Sequence, residues 1–168
     1  MRIGAVLFFL LSLPVISQEA PPPFPDSVKL YEAINSATQA PDSITLYLIK
    51  REKDIPFRGD AYGFHGFMVL AQKSTTEIAK YSKLLSALRN GFPPVNFMTD
   101  CSFFPHHGVR LSKGNAHLDL VIGYSCGLIM GHESGKTYGP FYITNTSESE
   151  LNKAFVSFGL PLPGPGYW

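Results

Sequence analysis

Cysteine, tryptophan and charge are all scarce in this chain. It holds two cysteines and one tryptophan, and only 16% of its residues are charged. Two cysteines exclude a disulfide-dense scaffold and a four-thiolate zinc site. Neither C-x-x-C nor H-x-x-x-H occurs, so the common spacings for thiol redox and zinc chemistry are missing. Blocks of like charge are missing too: 14 Lys and Arg stand against 13 Asp and Glu. Without a basic surplus the chain lacks the electrostatic footprint of a nucleic-acid or anionic-membrane binder. Beyond the first residues there is no long apolar run, so no transmembrane segment is expected in the remainder.

What is present begins with a leader. Arg2 precedes the apolar run Ala5 to Leu11, extended to Leu13 and stopped by Pro14. Val15-Ile16-Ser17 offers tolerated residues at the −3 and −1 positions of a cleavage site. This is the pattern of a secretory signal over residues 1–17, too short for a membrane span. Cleavage there leaves 151 of the 168 residues, a length that suits one domain. Arg2 departs with the leader, so the formal charge falls to about 0. The expected location is periplasmic or extracellular. There, Cys101 and Cys126 read first as a disulfide bond.

Residues 18–26 form a Pro-rich leader, followed by a single domain over 27–168 that ends in a Pro/Gly-rich tail. Asp26 or Ser27 is placed to cap a helix reaching Ala37, with Val28, Leu30, Tyr31 and Ile34 inward. Ile44 to Ile49 reads as a strand, and so does Tyr62 to Leu70 with a bulge. A helix is expected over Thr75 to Asn90. Its signals are the Ser74/Glu77 capping-box spacing, the stripe Ile78, Tyr81, Leu85 and Leu88, and Gly91 as a left-handed cap. Runs at His107 to Leu111 and Ala116 to Ile122 flank a turn at either Lys113-Gly114 or Gly114-Asn115. A second hairpin is expected between Leu128–Met130 and Thr137–Thr144, and a last helix starts at Ser147 and is closed by Gly159. Helices and strands do not alternate regularly. The expected class is therefore α+β, a mostly antiparallel sheet with two or three helices packed on it.

The chemical interest lies between Cys101 and Cys126. With the turn at Lys113-Gly114 the two cysteines stand opposite each other. With the turn at Gly114-Asn115, Arg110 faces Asp119 directly. Either way, both sulfurs lie near one end of one hairpin. The alternative is a metal-binding or thiol-dependent site, with zinc or copper as cofactor. It would use Cys101, Cys126 and one of His106 and His107, with His65, His117 or His132 in support. Adjacent strand residues point to opposite faces, so His106 and His107 cannot both serve one site. Candidate binding residues are His106, His107, Arg110 and Asp119. No catalytic residue, cofactor or partner is assigned.

These same stretches resemble a group of uncharacterised exported bacterial proteins. Their pattern is Cys-x-Phe-x-Pro-x-His with a following Arg, then an apolar strand ending in Cys-Phe/Tyr-x-Cys. Here it reads Cys101-Ser102-Phe103-Phe104-Pro105-His106-His107-Gly108-Val109-Arg110 and Gly123-Tyr124-Ser125-Cys126. Gly123 stands where a cysteine often stands, so a three-thiol site does not carry over. The resemblance implies an exported bacterial protein and no particular activity. The resulting expectation is a disulfide-stabilised binding or envelope-associated domain.

Overall fold

A computed structural model describes residues 22–50, 63–95 and 101–162. The expected signal at 1–17, the 51–62 connection and the last six residues of the expected tail lie outside them. Among the described residues, three α-helices and six strands follow in the order α1 (Pro25–Gln39), β1 (Ser43–Lys50), β2 (Met68–Thr75), α2 (Ser82–Gly91), β3 (His107–Lys113), β4 (Ala116–Gly123), β5 (Leu128–Glu133), β6 (Lys136–Tyr142) and α3 (Thr146–Ser157). The strands make one antiparallel sheet in the order β2-β1-β3-β4-β5-β6. The α+β expectation holds.

All three helices cover one face of the sheet. Leu46 and Leu48 of β1, Val109 and Leu111 of β3, and Leu118, Leu120 and Ile122 of β4 point into this layer. They meet Leu30 and Ile34 of α1, Leu84, Leu85 and Leu88 of α2, and Leu151 and Phe155 of α3. Period-2 alternation in the strands and period-3.6 spacing in the helices bring these residues to one core. Leu30 lies directly on Gly131, where any Cβ would collide with its side chain. The other face holds a smaller cluster of Tyr47, Ile49, Phe64, Phe67 and Val121 and carries no helix among the described residues.

Several boundaries differ from the sequence reading. α1 starts at Pro25, because proline's fixed φ and missing N–H suit the first helical turn. Ser27 does not cap it; the buried Ser27 hydroxyl instead accepts the Val95 amide at 3.2 Å. The second strand runs Met68–Thr75, later than expected, and the helix after it is delayed to Ser82 behind a 3-10 turn at Ile78–Tyr81. The Ser74/Glu77 capping box does not form. Ser74 pairs with the Thr45 hydroxyl across the sheet at 2.8 Å, and the Glu77 amide donates to Thr75 Oγ1 at 3.1 Å. Gly91 ends α2 without a left-handed φ. A Cβ there would lie 3.0 Å from Ser147 Oγ, so close approach of the next helix explains the glycine. At the end of α3 the expected glycine closure does occur. Gly159 has φ +70°, its amide donates to Val156 O, and Leu160 donates to Phe155 O. These two bonds form a Schellman motif.

Candidate functional site

Of the two hairpin registers, β3 and β4 adopt the one that turns at Gly114-Asn115, with His107 opposite Ile122. Gly114 rather than Asn115 takes the positive φ (+56°), as the first central residue of a II′ turn requires. In this register the cysteines are not strand partners. Cys101 lies before β3, and Cys126 lies in the turn joining β4 to β5. They are nevertheless disulfide-bonded, with Cα atoms 5.9 Å apart. The register accounts for the first fact and Pro105 for the second. Pro105 cannot extend the ladder beyond His106, and the chain before it crosses the sheet end and carries Cys101 to the turn. Gly123 admits this crossing, since a Cβ there would meet the Phe104 carbonyl at 2.9 Å.

The metal and thiol alternative is corrected by this bond: sulfurs shared with each other are not thiolate ligands or nucleophiles. No group of three or more His, Cys, Asp or Glu able to hold an ion occurs among the described residues. His107 belongs to the helix-covered core. It packs on Phe155 and Tyr124 and shares a 3.2 Å contact with Asn152 Oδ1. Burial pushes its pKa down to about 4, so it is a neutral core residue near pH 7. His106 is also buried; its backbone extends the ladder to Ile122 O and from Ile49 N. Gly123-Tyr124-Ser125-Cys126-Gly127 has the spacing of a hydrolase nucleophile elbow, which sequence reasoning passed over. It joins two antiparallel strands instead of a strand and a helix, so the strained elbow geometry is not built.

Arg110 and Asp119 form the other cluster, on the helix-free face. They stand opposite each other in the register. Arg110 donates from Nε to Asp119 Oδ1 and from Nη2 to Oδ2, both at 2.6 Å. This is the bidentate fork that binds a carboxylate most strongly. A third group arrives from a turn that sequence reading did not place: His65 Nε2 lies 2.7 Å from Asp119 Oδ2. His65 and Gly66 have φ of +52° and +82°, the two left-handed positions of a I′ turn. Phe64 and Phe67 bridge on either side of it. Phe64 stacks on Tyr47 at 4.2 Å over Gly108, where a Cβ would fall 2.7 Å from the ring. His65 stacks in turn on His132 at 3.7 Å.

The cluster belongs to a longer line. Ser74, Thr45, Arg110, Asp119, His132 and Thr137 are consecutive register partners, one from each strand, crossing the whole sheet. Thr137 and His132 make a 3.0 Å contact at its far end. His117 stands one pleat away, its Nε2 3.8 Å from Asp119 Oδ2. Asp119 has no solvent exposure. Burial pushes its carboxyl up, but hydrogen bonds from Arg110 and His65, with their charges, outweigh this and hold it below the usual carboxylate range. The same carboxylate raises Arg110. The structure thus joins two of the four candidate binding residues, Arg110 and Asp119, and separates His107 into the opposite core. Compared with family models, curated proteins and solved structures, the chain finds no match.

Proposed function

We propose that the chain is an exported, disulfide-stapled binding domain that takes its ligand on the helix-free face at the Arg110–Asp119 pair. One observation carries the binding reading. An ionised carboxylate with no exposure sits in mid-sheet, clamped by an arginine whose side chain remains 34% exposed. Buried ion pairs are a poor source of net stability compared with apolar packing. Perturbed charges gathered at an accessible surface are instead a mark of functional sites. The leader pattern, the Cys101–Cys126 bond and the likeness to exported bacterial proteins support secretion. No described helix is long and apolar enough to cross a membrane, and that agrees with a protein released from its leader.

Two measurements test this. Expression of the full chain in a bacterium, with fractionation and N-terminal sequencing, should yield protein beginning at Gln18 outside the cytoplasm. Unprocessed cytoplasmic chain with free thiols would overturn export. Amide NMR screening against a small-molecule library should give shifts centred on β3 and β4 around Arg110 and Asp119. Shifts confined to α2 or α3 would overturn the assigned face.

A further inference from the structure

Building on the binding reading, we infer that the group recognised on this face is an oxyanion, a carboxylate or a phosphate, held by the outer edge of Arg110 together with His117. The cluster hides its acceptor and shows its donors. Asp119 is closed off from solvent, whereas Arg110 and His117 are 34% and 48% exposed at the side chain. A guanidinium has five N–H groups. Two of them are spent on Asp119, which leaves one on Nη2 and one on Nη1 to form a second fork at the end of the guanidinium.

Arg110 is also fixed in place. Asp119 grips the guanidinium on one side, and its Cζ lies 5.9 Å from the centre of the Phe64 ring. That ring is itself locked between Tyr47 and Gly108. Arg110 Nη2 and His117 Nε2 both approach the same oxygen, Asp119 Oδ2. The two side chains are therefore neighbours, and a group placed outside that oxygen reaches both. Ser112 is the register partner of both His117 and Ser43, which brings two hydroxyls to the same end of the face. A pre-positioned fork with hydroxyl neighbours suits a planar or tetrahedral oxyanion. A cation is disfavoured, because the carboxylate in the cluster is already saturated. Among the described residues, the other titratable groups meeting it are His65 from the turn, His132 from β5 and Tyr47 from β1.

The test titrates the secreted, disulfide-bonded protein with inorganic phosphate and, separately, acetate at constant ionic strength, following Arg110 Nε–H and the amides of β3 and β4 by NMR. Saturable shifts are expected, with the stronger anion identifying the headgroup geometry. His117→Ala, at an exposed position that spares the fold, should weaken binding roughly tenfold. Lys153→Ala on α3 should leave it unchanged. Non-saturating shifts, or equal affinity in His117→Ala, would overturn the oxyanion assignment. If a neutral amide or sugar probe saturates the same residues while both anions fail, the oxyanion assignment falls and the binding face stands. If none of the probes, nor the library, shifts this face, both fall.

Discussion

The two faces of one sheet each enclose a histidine and a close-packed glycine, yet they handle polarity in opposite ways. On the helix-covered face, His107 is surrounded by Phe155 and Tyr124 and loses its charge to burial. On the helix-free face, His65 lies on an ionised aspartate. Gly131 admits Leu30 on the first face, and Gly108 admits the Phe64 ring on the second. One face is closed by aliphatic interdigitation. The other is closed by a turn whose tip is polar. The lesson is that strand pleating alone gives two environments, and the covering segment decides which charges survive in each.

The largest effect should come from breaking the polar face. Asp119→Ala leaves Arg110 partly buried without its counter-charge and should lower unfolding free energy by about 3–5 kcal/mol, read by urea denaturation. The paired variant Asp119→Leu with Arg110→Met should recover most of that loss. If the single change costs nothing, the contrast between the faces fails. Removing the staple comes next. Cys126→Ser opens a link between residues 25 apart in sequence and should cost about 3 kcal/mol. The loss should appear equally in wild type treated with a reductant.

The third effect separates the faces by pH. His107 binds its proton more weakly folded (about 4) than unfolded (about 6.5). Between those values the unfolded chain holds more protons, so stability declines as pH falls from about 6.5 to 4. His107→Gln should flatten that window, which in wild type spans about 3 kcal/mol. Asp119 acts lower. Its depressed folded value means its contribution is complete above the ordinary aspartate range and is lost as pH drops through the folded value. Urea melts at a series of pH values check both windows. The smallest effects belong to the glycines: Gly108→Ala and Gly131→Ala should each cost about 1–2 kcal/mol. Only Gly108→Ala should lower hydrogen-exchange protection across residues 64–67.

Much of the architecture was legible in the sequence because it is encoded locally. The Ile44–Ile49 run, the hairpin around Gly114 and the Gly159 closure are each read from a few adjacent residues. The Ser74–Glu77 region misled because a serine that suits a helix cap equally suits a cross-strand hydroxyl pair, and β1 decided the matter. Half of the site was legible as well: one of the two registers weighed placed Arg110 against Asp119. His65 was not, since its contact spans 54 residues and depends on how a turn lands. The signal available was Gly63-Phe64-His65-Gly66, glycines bracketing a polar residue, which marks a tight turn but not its destination. The cysteines were paired correctly, although the register that sets them opposite each other is not the one adopted.

The line from Ser74 to Thr137 draws one residue from every strand, and Thr137 is contributed by the last of them. A chain emerging from its N-terminus therefore cannot present this surface while any strand is still missing. If the chain is exported as proposed, a precursor kept unfolded for passage would carry no such line in the compartment that makes it. The polar line would be completed only when the sixth strand docks, so an intact line would report that the whole sheet had formed.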